Sequence, residues 1–164
     1  MPTRLSRMLL AAALALFSTL VALNNIVDFD ANYQFVRHVL SMDTVANAHV
    51  HVRALTSPAV HLAFYACIIA WEVVAAVLLW WGCIGMLRAR NKAGEVFNRA
   101  KRIAAAGLTL SMLMWLVAFI DVGGEWFLMW QSPVWNGQQE AFRMFVITGV
   151  VLIVLQQRES ERYS

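Results

Sequence analysis

Four long apolar segments dominate the 164-residue chain and restrict what it can fold into. A bilayer has a hydrocarbon core about 30 Å thick, so a helix needs about 20 mostly apolar residues to cross it. Hydrophobic residues make up 60% of the chain and charged residues 14%, against about 25% charged in soluble domains. The sequence therefore predicts an all-α, integral membrane four-helix bundle that forms a single domain over residues 1–164. The predicted spans are residues 6–27, 58–87, 103–120 and 138–157.

The first apolar segment has an alternative interpretation. Its basic start, MPTRLSR, followed by an apolar run is also typical of a signal peptide. The run is long and no clear A-x-A cleavage site follows it, so we interpret it as a helix that stays in the protein. Its removal would leave the direction of the other three spans unchanged.

The distribution of lysine and arginine predicts the orientation, because the cytoplasmic flanks of membrane helices are enriched in both. Ten of the 13 basic residues lie on one side of the predicted bundle and three on the other. Both termini and the loop at residues 88–102 are therefore expected in the cytoplasm, and the loops at residues 28–57 and 121–137 outside. Because the basic residues flank the membrane, we expect the lipid bilayer and no nucleic acid as a partner. The ten are Arg4, Arg7, Arg88, Arg90, Lys92, Arg99, Lys101, Arg102, Arg158 and Arg162; the three are Arg37, Arg53 and Arg143.

Glu72 lies near the middle of the second predicted span, where an acidic side chain costs about 2.5–3.5 kcal/mol on insertion scales. It is expected to face the bundle interior, on one stripe of the helix with His61 and Tyr65. No lysine or arginine is predicted at this depth, so a proton is its simplest counter-charge. We interpret the surrounding polar layer either as hydrogen bonds that hold helices together or as a proton or ion relay. Depth counting adds four hydroxyl side chains to this layer: Ser18, Thr19, Ser111 and Thr148.

The first outer loop contains a predicted amphipathic helix, since apolar residues recur at helical spacing between Asn32 and Met42. His38 lies on this helix, and Asp43 is expected to cap whatever follows it. The helix is expected to lie on the membrane surface or over the mouth of the bundle.

The second outer loop is rich in tryptophan, with Trp126 and Trp130 near its start. We interpret these residues as anchors at the headgroup level, or alternatively as the wall of an aromatic-lined ligand cleft. Gly123 and Gly124 are predicted to break the third span at Asp121.

The histidines of the first outer loop raise the question of a metal site. His49 and His51 would point the same way from an extended strand, and His38 is the third candidate ligand. Further ligands would come from His61, Asp28, Asp30, Asp121 or Glu125. An H-x-H pair alone is a weak signal, so solvated or hydrogen-bonded histidines are the simpler interpretation. The two cysteines, Cys67 and Cys83, lie about 24 Å apart along one helix and cannot bridge.

The chain resembles a bacterial family of predicted small integral membrane proteins, a domain of unknown function. The matching stretches are "NN" at residues 24–25, "FVRHVLSMDT" at 35–44, "IIAWE" at 68–72 and "GGEWFLMWQSPVWNGQQEAFRMF" at 123–145. The resemblance implies a multi-pass protein of the bacterial inner membrane and brings no established activity. Most of these motifs lie in the outer loops, which implies a function at the periplasmic face.

Three functions are compatible with the sequence. An accessory protein would bind a membrane-protein partner, a second copy of itself or an envelope component through its outer face. A small permeation or proton-coupled transport protein would use Glu72. A membrane enzyme or metal protein would use the outer histidines, but no catalytic or nucleotide-binding motif supports it, and the sequence identifies no cofactor.

Overall fold

The computed structural model describes residues 2–159, which form helices joined by short connections. Within these residues, four helices are long and apolar enough to cross a membrane, which confirms the all-helical fold with four candidate spans. Arg162 of the predicted cytoplasmic set lies outside the described residues. The α-helices are α1 (Pro2–Val27), α2 (Phe29–Ser41), α3 (Pro58–Ala89), α4 (Gly94–Leu113) and α5 (Gln138–Gln156). A π-helical segment, Met114–Trp126, continues α4, and short 3-10 helices cover Ala48–Arg53 and Met129–Gln131.

The bundle is built around α3, which packs against α1 on one side and α4 on the other, while α5 packs against α4 and α1. Small residues bring α3 and α4 close together. A Cβ atom added at Gly82 would overlap the backbone of Ala104, and one added at Gly107 would lie 3.0 Å from the backbone nitrogen of Leu79. Close backbone approach across small residues is a usual source of helix association in membranes, where no hydrophobic effect separates helix from lipid.

The first turns of α1, the residues after α5 and the α3–α4 connection meet at one end of the bundle, which we call the termini end. Arg4 Nε and Arg7 Nη1 donate to the two carboxylate oxygens of Glu159, at 2.5 and 3.0 Å. Arg4 Nη1 also donates to the backbone carbonyls of Arg90 and Lys92, at 2.8 Å each. One carboxylate thus links the start of α1 to the segment that follows α5.

Replacing Glu159 with glutamine is expected to lower the free energy of unfolding by about 1–2 kcal/mol, because two well-shielded arginines lose their charged partner. Thermal unfolding of the purified protein in detergent measures the change. Glu95→Gln is the matched control, since its pair with Arg99 is exposed and bridges one helical turn; it should cost no more than about 0.5 kcal/mol. Equal effects of the two substitutions would contradict a special role for Glu159.

The opposite end, the cap end, carries α2, the 3-10 helix Ala48–Arg53 and residues 127–137. α2 occupies the region in which the sequence predicts an amphipathic helix, and its buried residues are Val36, Val39 and Leu40. It ends at Met42, which adopts the left-handed conformation at φ 53° and turns the chain back. These apolar residues form one cluster with Tyr65 of α3 and with Phe127 and Met129.

Two boundaries differ from those expected from the sequence. The predicted loop at residues 88–102 shrinks to residues 90–93, because α4 begins at Gly94 with Phe97 and Lys101 buried and the other charges outward. A run of charges ends a membrane span without ending the helix. Gly123 and Gly124 do not break the third span, which continues to Trp126. A Cβ at Gly124 would collide with the side chain of Gln138, so this glycine provides space.

Candidate functional site

Glu72 lies in the interior of the bundle and accepts a hydrogen bond from α1. The Asn25 side-chain amide donates to Glu72 Oε2 at 2.6 Å, and only 3% of Glu72 is exposed. The Tyr65 hydroxyl, two turns earlier on the same stripe of α3, donates to the Asn25 backbone carbonyl at 2.7 Å. Glu72, Tyr65 and Asn25 therefore form one hydrogen-bonded unit between the two helices.

This unit changes the depth assigned to Glu72. Asn25 lies two residues before α1 ends, so Glu72 is level with the last turn of α1. The 14 residues of α3 before Glu72 rise about 21 Å, and they extend beyond α1 alongside the cap. Glu72 is central in α3 but lies toward the cap end of the bundle as a whole.

A cavity of about 330 Å³ leads from Glu72 toward the cap end. Its polar lining combines two carboxylates, Glu72 and Glu140, with the amides of Asn25, Asn32 and Asn136. Among residues 2–159, none of the side chains that line it is basic. The cavity is thus acidic, with Glu72 at its buried inner end and the exposed Glu140 and Asn136 at its outer end.

Trp115 lines the same cavity and carries an unusual buried donor. Its indole N–H has no hydrogen-bond partner among the described residues, although a buried N–H normally has one. Trp115 also lines a second void of about 10 Å³, together with Glu72, Ser18 and Ser111. This void is close to the size of one water molecule and has polar groups around it.

The hydroxyl residues of the predicted polar layer separate into two groups. Ser18 and Ser111 share the small void with Glu72. Thr19 and Thr148 line neither the void nor the larger cavity. Thr19 donates to the Ala15 carbonyl and accepts from the Trp80 indole, and Thr148 is buried with no partner for its hydroxyl among residues 2–159.

Beyond the small void, most of the buried side chains toward the termini end are apolar. A cluster of buried side chains fills the space between α1, α3, α4 and α5. From Glu72 to the end of α3 there are 17 residues, about 26 Å of helix. The polar cavity thus meets a layer of mostly apolar side chains, and the buried Lys101 and Arg7 lie beyond that layer near the termini end. The cluster includes Leu14, Leu79, Met86, Phe97, Leu108 and Leu155.

The cap is held by contacts of two predicted outer-face residues. His38 Nδ1 lies 2.6 Å from the Asp43 carboxylate, and the His38 ring stacks on Trp135 with ring centroids 4.5 Å apart. His61 Nε2 donates to the Leu55 carbonyl at 2.6 Å from a buried position at the start of α3. These contacts join α2, the connection between α2 and α3, and residues 127–137.

Replacing His38 with alanine is expected to loosen α2 from residues 127–137, because both the stacking on Trp135 and the pair with Asp43 are lost. The expected cost is about 0.5–1.5 kcal/mol, since both contacts are partly exposed. Hydrogen exchange of peptides from α2, followed by mass spectrometry, measures the local opening. His49→Ala is the control, because only the backbone of His49 makes a hydrogen bond; faster exchange of α2 in both variants would contradict the role of His38.

The three histidines considered as metal ligands do not come together, and the extended strand predicted for His49 and His51 is wrong, because both lie on the 3-10 helix Ala48–Arg53. His38 pairs with Asp43, His51 Nε2 donates to the Val45 carbonyl at 3.0 Å, and the His49 side chain is exposed. Across residues 2–159, no group of three or more His, Cys, Asp or Glu side chains is arranged to hold a metal ion.

The remaining outer-face candidates lie outside the cavity. Asp121, Glu125, Trp126 and Trp130 are all exposed. The Arg53 guanidinium lies 5.5 Å from the ring centroid of Trp126, which links the 3-10 helix to the end of the π-helical segment. Neither Trp126 nor Trp130 lines the polar cavity, and their placement at the headgroup level stays a prediction.

Sequence reasoning missed the side chains that complete the site, namely Asn25 as the partner of Glu72, together with Trp115, Asn136 and Glu140. In the sequence, Asn25 stood out only within the "NN" stretch at residues 24–25. The pairing depends on how far α3 extends beyond α1, which is set by the length of the cap. The "WNGQQE" stretch did carry a signal, since its polar residues adjoin the start of α5.

Comparison with known proteins gives one match. No curated protein and no solved structure matches the chain significantly. The model of one family, described as "Predicted small integral membrane protein (DUF2165)", matches residues 3–158. This range includes all four candidate spans, the cap and the cavity. The chain therefore belongs to the DUF2165 family of predicted small integral membrane proteins.

Proposed function

We propose that the protein resides in the bacterial inner membrane with both termini in the cytoplasm and the cap in the periplasm. The uneven distribution of basic residues supports this orientation, since among residues 2–159 nine lie toward the termini end and three toward the cap end. Arg4, Arg7 and Lys101 are fixed at the termini end by hydrogen bonds. In this orientation the acidic cavity opens to the periplasmic side.

The protein acts as an accessory protein that binds a small cationic ligand, of the ammonium class, beneath its cap. The observation that carries this proposal is the cavity itself, which holds two carboxylates and no lining basic side chain. A buried charge needs a partner of opposite sign, and a bound cation supplies one for Glu72. The amide oxygens of Asn32 and Asn136 and the faces of Phe35 and Phe119 offer further contacts for a small ammonium ion.

A cation or proton conduit through Glu72 is the alternative. The small void next to Ser18 and Ser111 favours it, since it extends the polar groups one step past Glu72. The apolar cluster beyond the void opposes it, because an ion would have to cross a layer of mostly apolar side chains before it reached the buried Lys101 and Arg7 near the termini end. In vesicles containing the purified protein, we therefore expect no proton or ammonium flux above that of empty vesicles.

Thermal unfolding of the purified protein with ammonium, methylammonium and choline chloride tests the binding proposal. At a hundredfold excess over Kd, a ligand stabilises the folded state by about 2.7 kcal/mol, so at least one member of this size series should raise Tm. Sodium chloride at equal ionic strength is the salt control. The rise should disappear in Glu72→Gln and persist in Glu125→Gln, which removes an exposed carboxylate outside the cavity. An unchanged Tm throughout the series would refute the proposal.

A further inference from the structure

A second cavity, of about 550 Å³, lies at the termini end between the first turns of α4 and the end of α5. We call it the basic groove. Four of its lining residues are basic: Arg99, Lys101, Arg102 and Arg158. Its single acidic residue, Glu95, already pairs with Arg99 at 2.6 Å. The groove therefore has a clear excess of positive charge.

The basic side chains of the groove differ from those beside it. Arg4 and Arg7 share the carboxylate of Glu159, whereas Arg102 and Arg158 have no hydrogen bond or ion pair with another described residue. Lys101 is buried and its ammonium donates to the Gln157 carbonyl at 2.7 Å. An ammonium has three donors, so this bond fixes Lys101 at the groove and leaves donors over.

The position of the groove matches the headgroup layer of a bilayer. Along α4, the lining runs from Glu95 in the first turn through the basic residues to the half-buried Ala105, which lies furthest from the helix start. On α5, the buried Leu155 lines the inner side of the groove near the end of the helix. The lining comes from α4, α5 and the residue range just after α5, so the groove opens at the side of the bundle. A molecule held there would be in contact with lipid.

We propose that the basic groove binds the phosphate of an anionic phospholipid headgroup in the leaflet at the termini end. Arginine side chains hydrogen-bond phosphate oxygens in pairs, and basic pockets between membrane helices suit anionic headgroups. The acyl chains would run along α4 beside the half-buried Ala105. The proposal is independent of the ligand that the cap end takes.

Native mass spectrometry of the full-length protein, released from nanodiscs of phosphatidylcholine with added phosphatidylglycerol, tests the proposal. We expect phosphatidylglycerol to remain bound in preference to phosphatidylcholine. The double variant R102Q/R158Q should weaken this retention roughly 10- to 30-fold, since each basic residue near an anionic surface contributes about one factor of five. Both side chains are exposed, so the variant is expected to fold as the wild type does.

The double variant R88Q/R90Q is the matched control, because it removes two exposed arginines at the same end that do not line the groove. It should retain phosphatidylglycerol as the wild type does. Equal loss in both variants would show that diffuse charge, not the groove, attracts the lipid. Displacement of the lipid by millimolar glycerol 3-phosphate would show that the groove takes a soluble phosphate ester, and would overturn the assignment to a lipid.

Discussion

Replacing Gly82 with valine is expected to lower the free energy of unfolding by about 2–3 kcal/mol, the upper part of the range for overpacked cores. A Cβ atom at this position would overlap the backbone of Ala104, and backbone cannot rotate away as a flexible side chain can. α3 and α4 must then move apart, which disturbs the apolar cluster between them. Thermal unfolding in detergent measures the loss, and the fraction of protein recovered as a single folded species provides a second readout.

Gly85→Ala is the matched control for Gly82. Gly85 lies one turn further along α3, and an added Cβ would meet only the Ala100 carbonyl oxygen, at 3.8 Å. That is an ordinary contact, and alanine restricts the unfolded chain more than glycine does, so this variant should be neutral or slightly more stable. If Gly82→Val were as stable as Gly85→Ala, the close approach of α3 and α4 would be disproved.

The four spans could be predicted from the sequence because the bilayer fixes the length and composition of a crossing helix. The ends of those spans could not. The charges at residues 88–102 predict where the chain leaves the hydrocarbon, but α4 continues through them because Phe97 and Lys101 still pack on the bundle. Gly123 and Gly124 would break the third span only if they adopted a backbone conformation that other residues avoid. In this structure they remain helical, and their lack of a side chain leaves room for Met129 and Gln138.

The candidate site could be predicted only in part, and for a physical reason. Glu72 is identifiable by itself, because an acidic residue in a membrane helix must be accounted for. Its partner depends on the offset between α1 and α3, and hydropathy gives the length of each helix without that offset. Depth counting from span midpoints aligned Glu72 with Thr19 and Thr148, whereas the hydrogen bond joins it to Asn25 near the end of α1. The basic groove is formed by parts of two helices. In the sequence, each part shows only the basic residues that are expected beside a membrane span.

Glu72→Gln is expected to remove the stabilisation by ammonium ligands while changing the stability of the free protein by less than about 1 kcal/mol. The glutamine oxygen still accepts the hydrogen bond from the Asn25 amide, so the interhelical bond is kept. Only the negative charge at the inner end of the cavity is lost. Comparison of Tm for the variant and the wild type, each with and without methylammonium, separates the two effects.

Asn25→Leu should have the opposite outcome. Leucine has a similar size but removes the donor to Glu72, and a buried carboxyl group without this bond costs about 1–3 kcal/mol. The 2.7 Å bond from Tyr65 to the Asn25 backbone carbonyl remains, and only the longer contact of 3.5 Å between the Tyr65 hydroxyl and Asn25 Oδ1 is lost with it, so the loss reports mainly on Glu72. Ammonium ligands should still stabilise this variant, because the carboxylate is intact. Their relative effect should even increase, since a bound cation replaces the missing partner.

The two variants together decide between the interpretations of the polar layer. If Glu72 binds the cation, Asn25→Leu lowers the free energy of unfolding, and Glu72→Gln removes the rise in Tm caused by ammonium ligands. If the layer only holds helices together, ammonium ligands change the Tm of Glu72→Gln and of the wild type equally. The negative charge of the cavity then has no role in binding. A relay predicts a third pattern, in which Glu72→Gln abolishes a flux that the wild type shows. The apolar layer beneath Glu72 is the reason to expect the first pattern.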